Sequence, residues 1–94
     1  MKVEVKFFTS LREITGKKVD TIQLQNSISV EELLNMLSTK YGKEFTEYIY
    51  NKKGDVQSFL SILVNGKNIN VLQGLKTQLK EGNIVAVLPP VGGG

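Results

Sequence analysis

Apolar residues alternate at the start of the chain, where Lys2, Glu4 and Lys6 separate Val3, Val5 and Phe7. A period of two predicts a strand with one buried face. Phe8 follows on the polar parity. Ser10 to Gly16 reads as a short helical turn, with Ser10 as its N-cap, Glu13 three residues on and Gly16 as its stop. Looser alternation from Val19 to Leu24, through Thr21, Ile22 and Gln23, predicts a second strand paired with the first as a hairpin.

The pattern then changes period. Val30, Leu33, Leu34, Leu37 and Tyr41 recur at helical spacing on one face. Ser29 with Glu32 forms a capping box, and Gly42 stands where a helix stops. Glu31 and Glu32 in the first turn and Lys40 in the last complement the helix dipole. Between residues 43 and 57, Phe45, Tyr48 and Ile49 fit a short helical turn, and Asn51-Lys52-Lys53-Gly54-Asp55 a polar turn. Ser58 to Val64 predicts a strand with Leu60, Ile62 and Val64 on one side. Asn65-Gly66 predicts a tight turn, Ile69 to Val71 a short return strand, and Leu72, Leu75 and Leu79 apolar loop anchors. After a turn at Glu81-Gly82-Asn83, Ile84 to Leu88 is the last strand. Pro89-Pro90 ends it, since proline cannot donate to a ladder.

This order predicts an α+β fold: a mixed sheet of about five strands with one main helix packed on one face. Strand-strand-helix-strand-strand in so short a chain suggests a β-grasp. The expected organisation is one domain over residues 1–90 and a flexible glycine tail over 91–94.

Composition narrows the chemistry. The chain has 94 residues, 12 Lys+Arg against 9 Asp+Glu, a net charge of +3, and neither Cys nor His. Disulfides, thiolate nucleophiles, imidazole bases and structural zinc are excluded, and no metal site is expected. Scattered lysines, doubled only at Lys17-Lys18 and Lys52-Lys53, lack the basic stripe with aromatics that nucleic-acid binding uses. No apolar run nears the ~20 residues of a membrane span. The alternating start is unlike a signal peptide, so the expected location is the cytoplasm.

Gly92-Gly93-Gly94 is the unusual chemical object. A terminal carboxyl is an anion at pH 7 and a poor electrophile until its oxygen becomes a leaving group. Adenylation by ATP achieves that, and the acyl group then accepts sulfur or an amine. Glycine lacks a Cβ, so its backbone passes through a narrow channel. Six residues beyond Leu88 reach at most about 20 Å, and Pro89-Pro90 favours an extended base. Taken alone, a glycine-rich end also reads as an ordinary disordered terminus.

A second feature is strand parity. If Val5, Phe7, Ile62, Val64, Val85 and Val87 point inward, then Phe8, Leu63, Ala86 and Leu88 point away from the helix. Contiguous exposed apolar area marks a partner surface. Cover by loops or by residues 43–57 is the alternative.

Several segments together resemble one family. They are Phe7-Phe8-Thr9-Ser10-Leu11-Arg12-Glu13-Ile14-Thr15-Gly16, the helix from Val30 to Leu37, Val64-Asn65-Gly66, Leu79-Lys80-Glu81-Gly82-Asn83-Ile84-Val85, and Leu88-Pro89-Pro90-Val91-Gly92-Gly93-Gly94. The combination is similar to the small subunit of molybdopterin synthase and its relatives, the ubiquitin-like sulfur carriers and archaeal small modifier proteins. The resemblance implies that an E1-like adenylyltransferase activates Gly94 with ATP and that sulfur transfer makes a thiocarboxylate. It further implies that the tail, Gly92 and Gly93 included, enters the large subunit of molybdopterin synthase and gives sulfur to a pterin precursor. Relatives deliver sulfur to tRNA through a thiolation enzyme or form isopeptide bonds to target lysines. Phe8, Leu63, Leu88, Pro89, Pro90 and Val91 form the expected partner-binding surface, Phe8 and Leu88 at positions that contact the enzyme partner in the family. The chain itself is expected to bind no cofactor and to act as a carrier rather than an enzyme. Position 92 is Gly where the family commonly has Ser or Thr, and the 43–57 stretch looks more like the archaeal branch. A non-covalent interaction module with an inert tail is the reading from a different class.

Overall fold

The computed structural model describes residues 1–90; Val91, Gly92, Gly93 and Gly94, and with them the tail expectations, lie outside the described residues. Strand β1 (Lys2–Phe7) leads into helix α1 (Ser10–Thr15), and β2 (Val19–Gln23) returns antiparallel to β1. Helix α2 (Val30–Tyr41) is followed by α3 (Lys43–Ile49). Strands β3 (Ser61–Val64), β4 (Lys67–Asn68) and β5 (Ile84–Leu88) complete a sheet of order β2-β1-β5-β3-β4. β1 and β5 run parallel at its centre, and every other pair is antiparallel. This is the α+β β-grasp that the sequence pattern predicts.

The core forms because each periodicity is satisfied. Val3, Val5 and Phe7 of β1, Val85 and Val87 of β5, and Val30, Leu33, Leu34 and Leu37 of α2 are all buried together. Ser29 caps α2: its hydroxyl accepts from Glu32 N at 3.1 Å, and Glu32 Oε1 accepts from Ser29 N at 3.0 Å. Gly42, at φ 90°, takes a backbone that L side chains avoid and turns the chain from α2 into α3. Helix α3 is longer than the single turn expected at Phe45, Tyr48 and Ile49, and it packs on the α2 side of the sheet. Its Phe45 ring meets Phe7 edge-on, with centroids 6.2 Å apart. Phe45 and Ile49 are fully buried, and truncating such a phenylalanine costs about 3–5 kcal/mol.

Four local expectations are corrected. Ser10 is the first residue of α1 rather than its cap; the chain turns at Thr9, at φ 44°, with no side-chain cap. The return strand is Lys67–Asn68, and Ile69–Val71 is a 3-10 turn instead. Asn68 causes this, because its Oδ1 accepts from Asn70 N at 2.8 Å and bends the chain out of the sheet. The strand expected from Ser58 begins only at Ser61, which pairs with Leu88. Continuing that register would place Leu60 opposite Pro89, which has no N–H to share. Leu72 is not an anchor: it is 38% exposed, while Leu79 is fully buried. The Asn65-Gly66 turn stands as predicted, with φ of 49° and 83° at its two residues.

Candidate functional site

The helices occupy one face of the sheet and leave the other open. Register across that open face aligns Lys6 with Ala86 and Ala86 with Leu63, and on either side Glu4 with Ile84 and Leu88 with Ser61. Paired residues share a face, so Leu63, Ile84, Ala86 and Leu88 form one apolar patch along β5 and onto β3. Leu63, Ala86 and Leu88 are half-buried and Ile84 is 36% exposed. Ile84 shares the parity of Ala86 and Leu88, so the same alternation places it in the patch. Helix α3 packs on the opposite face, so residues 43–49 are not its cover.

Phe8 lies outside this register. The strand ends at Phe7, whose partner is Val87, so Phe8 lies one residue past the ladder, at the level of Leu88. Alternation therefore does not set its direction. The Arg12 guanidinium carbon lies 5.6 Å from the centroid of the Phe8 ring, and Arg12 Nε donates to Phe7 O at 3.1 Å. This pairing leaves Phe8 half-buried with a cation over one face. Pro89, half-buried, and Pro90, exposed, continue the chain from the central strand β5 beside the patch. Of the expected partner-surface residues, Leu63 and Leu88 therefore share the helix-free face, Phe8 lies at the level of Leu88, and Pro89 and Pro90 follow Leu88 in the chain. Val91, Gly92, Gly93 and Gly94 lie outside the described residues.

With this geometry in view, comparison with known proteins is decisive over residues 5–94, which match the ThiS family model. The chain belongs to the ThiS family. It is 32% identical over 94 residues to small archaeal modifier protein 3 of Haloferax volcanii, with both chains covered in full. It is 27% identical over 96 residues to the molybdopterin synthase sulfur carrier subunit of Drosophila melanogaster, covering all of this chain and 92% of the other. The solution structure of small archaeal modifier protein 1 from Methanosarcina acetivorans superposes with a TM-score of 0.82 at 34% identity, covering 99% of this chain and 96% of that one. The family is thus one of small ubiquitin-like carriers and modifiers. No helix among the described residues is long and apolar enough to cross a membrane.

Sequence reasoning missed one polar cluster. Asp20 is buried on the inward parity of β2, next to Ile22. Lys40 Nζ donates to its Oδ2 at 2.8 Å, the Tyr41 hydroxyl donates to the same oxygen, and Lys17 Nζ lies 3.7 Å from Oδ1. The signal was an acidic residue at an apolar position of an alternating strand. Burial opposes the Asp20 charge, but the hydrogen bonds from Lys40 and Tyr41 and the charges of Lys40 and Lys17 outweigh it. Its carboxyl consequently titrates below the ordinary 3.8. Burial first, and then the bond to Asp20, push the Tyr41 hydroxyl well above its ordinary value.

The sign of the stability effect follows. A depressed folded pKa contributes stability that is complete above the unfolded value and lost as pH falls through the folded one. Thermal melts between pH 7 and pH 2 are expected to show the native protein losing stability below about pH 4, the ordinary aspartate range. Asp20→Asn is expected to melt lower at pH 7 and to flatten that acid limb. An unchanged limb would assign the acid sensitivity to other carboxylates.

Proposed function

We propose that this protein is a sulfur carrier whose Gly94 carboxylate is adenylated by an E1-like enzyme and then converted to a thiocarboxylate. One observation carries the reading: the central strand β5 bears an apolar patch on the helix-free face and runs directly into Pro89-Pro90. A partner that seats on Leu63 and Leu88, with Phe8 at the level of Leu88, meets the chain at Pro89-Pro90, after which the tail follows in sequence. Membership of the ThiS family and the sulfur carrier named among the relatives support the same reading.

The chemistry lies in the tail and its partner. The carboxylate oxygen of Gly94 attacks the α-phosphorus of ATP, and pyrophosphate leaves. Hydrosulfide then attacks the acyl carbon, AMP departs with the former carboxylate oxygen, and the thiocarboxylate remains. The chain supplies no His or Cys to act as a base near pH 7, so it acts as carrier and the activating enzyme as catalyst. In this scheme residues 91–94 carry the reacting carboxylate and residues 1–90 are the docking body. The proposed setting is the cytoplasm, with the large subunit of molybdopterin synthase as sulfur acceptor partner in molybdenum cofactor synthesis.

A second reading is favoured by the 32% identical small archaeal modifier protein. In it the same acyl adenylate passes to target lysines as an isopeptide bond, or the sulfur goes to tRNA thiolation. Intact mass spectrometry of protein from its native cells, with and without alkylation, separates the readings. A thiocarboxylate appears as a species heavier by about 16 Da that alkylates although the chain has no Cys, its carboxylate being otherwise inert. High-mass species carrying Gly94 on lysine would establish the modifier role. An unmodified mass in sulfur-replete and ATP-replete cells would overturn both.

A further inference from the structure

The sheet has two edges, and they are unlike. One is β4, only Lys67–Asn68; the other is β2, Val19–Gln23, paired on one side with β1 and on the other with no strand among the described residues. Phe7 N donates to Lys18 O at 2.9 Å, and Leu24 N to Met1 O at 2.7 Å. Backbone groups alternate sides along an antiparallel strand. Lys18, Asp20, Ile22 and Leu24 therefore face β1, and the N–H and C=O groups of Val19, Thr21 and Gln23 point outward. An open edge of this kind is a template for a further strand.

A groove runs beside this edge, between β2 and α2. Its volume is about 350 Å³, and Thr21, Ile22, Gln23, Met36, Leu37 and Lys40 line it. Met36 stands off the buried stripe of α2 and is 43% exposed on the groove wall. Charge is unequal along it. Where β2 begins and α2 ends, Lys17 and Lys40 contact Asp20 and Lys18 adjoins them in the chain, three cations about one buried carboxylate. At the other end of β2, residues 24–28 carry no charged side chain, and the Met1 ammonium on Leu24 O lies 4.0 Å from the Glu81 carboxylate.

We propose that the β2 edge and its groove bind an extended segment of a partner protein as a sixth strand. Its alternate apolar side chains enter the groove over Ile22, Met36 and Leu37, and acidic residues at one end lie over Lys17, Lys18 and Lys40. Backbone pairing supplies affinity in this mode and alternate side chains supply selectivity. A second copy of the chain fits less well. The inward residues of its own β2, Asp20 and Ile22, are already buried, so its edge has no apolar side chains to lower into the groove. This surface is separate from the β5 patch and from the Gly94 chemistry.

The test is a titration of the isotope-labelled full chain with two synthetic ten-residue peptides. Each has four consecutive β-branched residues and three Asp, at the N-terminus of one and the C-terminus of the other. One of them is expected to move the amide resonances of Val19, Thr21, Gln23 and Met36, slow hydrogen exchange at the three strand amides, and bind at least about tenfold more tightly than its Lys-flanked counterpart. Thr21→Pro removes an outward N–H that β1 does not use, a place where an edge strand tolerates proline. Met36→Glu charges the groove from an exposed helix position. Each is expected to weaken binding at least about tenfold, and the second serves if the first does not fold. Removing Gly93 and Gly94 is expected to leave binding unchanged. Shifts centred on Leu63, Ala86 and Leu88, equal binding of the Lys-flanked peptide, or no binding would overturn the proposal. Concentration-dependent shifts at β2 without peptide would assign the edge to a second copy and overturn it too.

Discussion

Deletion of Gly93 and Gly94 is expected to give a folded protein that never gains the 16 Da of a thiocarboxylate and joins no conjugate. The argument is geometric and chemical together. The buried core is drawn from β1, β2, β3 and β5, from α1, α2 and α3, and from Leu24, Ile69 and Leu79, all before residue 90, so shortening the tail removes none of that packing. Surface changes away from buried groups stay within about 0.5 kcal/mol, and the thermal midpoint should move by no more than about 2–4 °C. The deletion nevertheless withdraws the reacting carboxylate by two residues, up to about 7 Å of extended chain. A displacement of even 1 Å can cost a reaction about a hundredfold, so activation should fall below detection. It also exposes Gly92 as the new end, so a carboxylate is still present; the loss therefore reports reach and not the mere presence of a carboxyl. The check is intact mass after incubation with an activating enzyme, ATP and a sulfur donor, beside a circular dichroism melt. Full thiocarboxylation of the shortened chain would overturn the reach argument, and a full-length chain that takes no sulfur and joins no conjugate under the same conditions would sink the carrier and modifier readings together.

The second large effect is expected on the open face of the sheet. Leu63→Gln and Leu88→Gln should each raise the KM of the activating enzyme for the carrier by about 10–100-fold and leave kcat little changed. The patch binds but does not react, and loss of uniform binding appears in KM. Burying a leucine side chain is worth about 1.5–3 kcal/mol, and burying an unpaired amide costs about as much again. Both residues are half-buried in the free chain, so only part of that area remains for a partner, which places the estimate near the lower end. Glutamine is chosen because it adds no charge beside Lys6, which shares a row with Ala86 and Leu63. The measurement is carrier-dependent ATP–pyrophosphate exchange over a range of carrier concentrations. Met36→Gln, in the β2–α2 groove, is the control and should leave KM within twofold. If Leu63→Gln and Leu88→Gln behave like the control, the partner docks elsewhere and the patch is not its seat.

Much of this molecule follows from local pattern. Val3, Val5 and Phe7 specify a half-buried strand wherever it is placed, because side chains on a strand alternate. Ser29 with Glu32 sets the start of α2 with atoms only three residues apart. Asn65-Gly66 turns β3 into β4 because its two positive φ angles suit Asn and Gly. The apolar parity of Leu63, Ala86 and Leu88 on the helix-free face, and the glycine tail beyond Pro89-Pro90, were likewise legible without a structure.

Other features depended on partners distant in the chain. The strand expected from Ser58 is trimmed to Ser61 by its pairing with β5, which ends at proline. Phe8 leaves the ladder and meets Arg12 because α1 begins at once. Asp20 looked like one more strand residue until Lys40 and Tyr41, twenty residues on, came to its carboxylate. Which strand edge stays open is decided by sheet order alone: β2 lies outermost because β5 takes the place on the other side of β1. Sequence determines which residues share a face, since that depends on backbone period. Tertiary structure decides which faces and edges meet, since that depends on contacts between residues far apart in the chain.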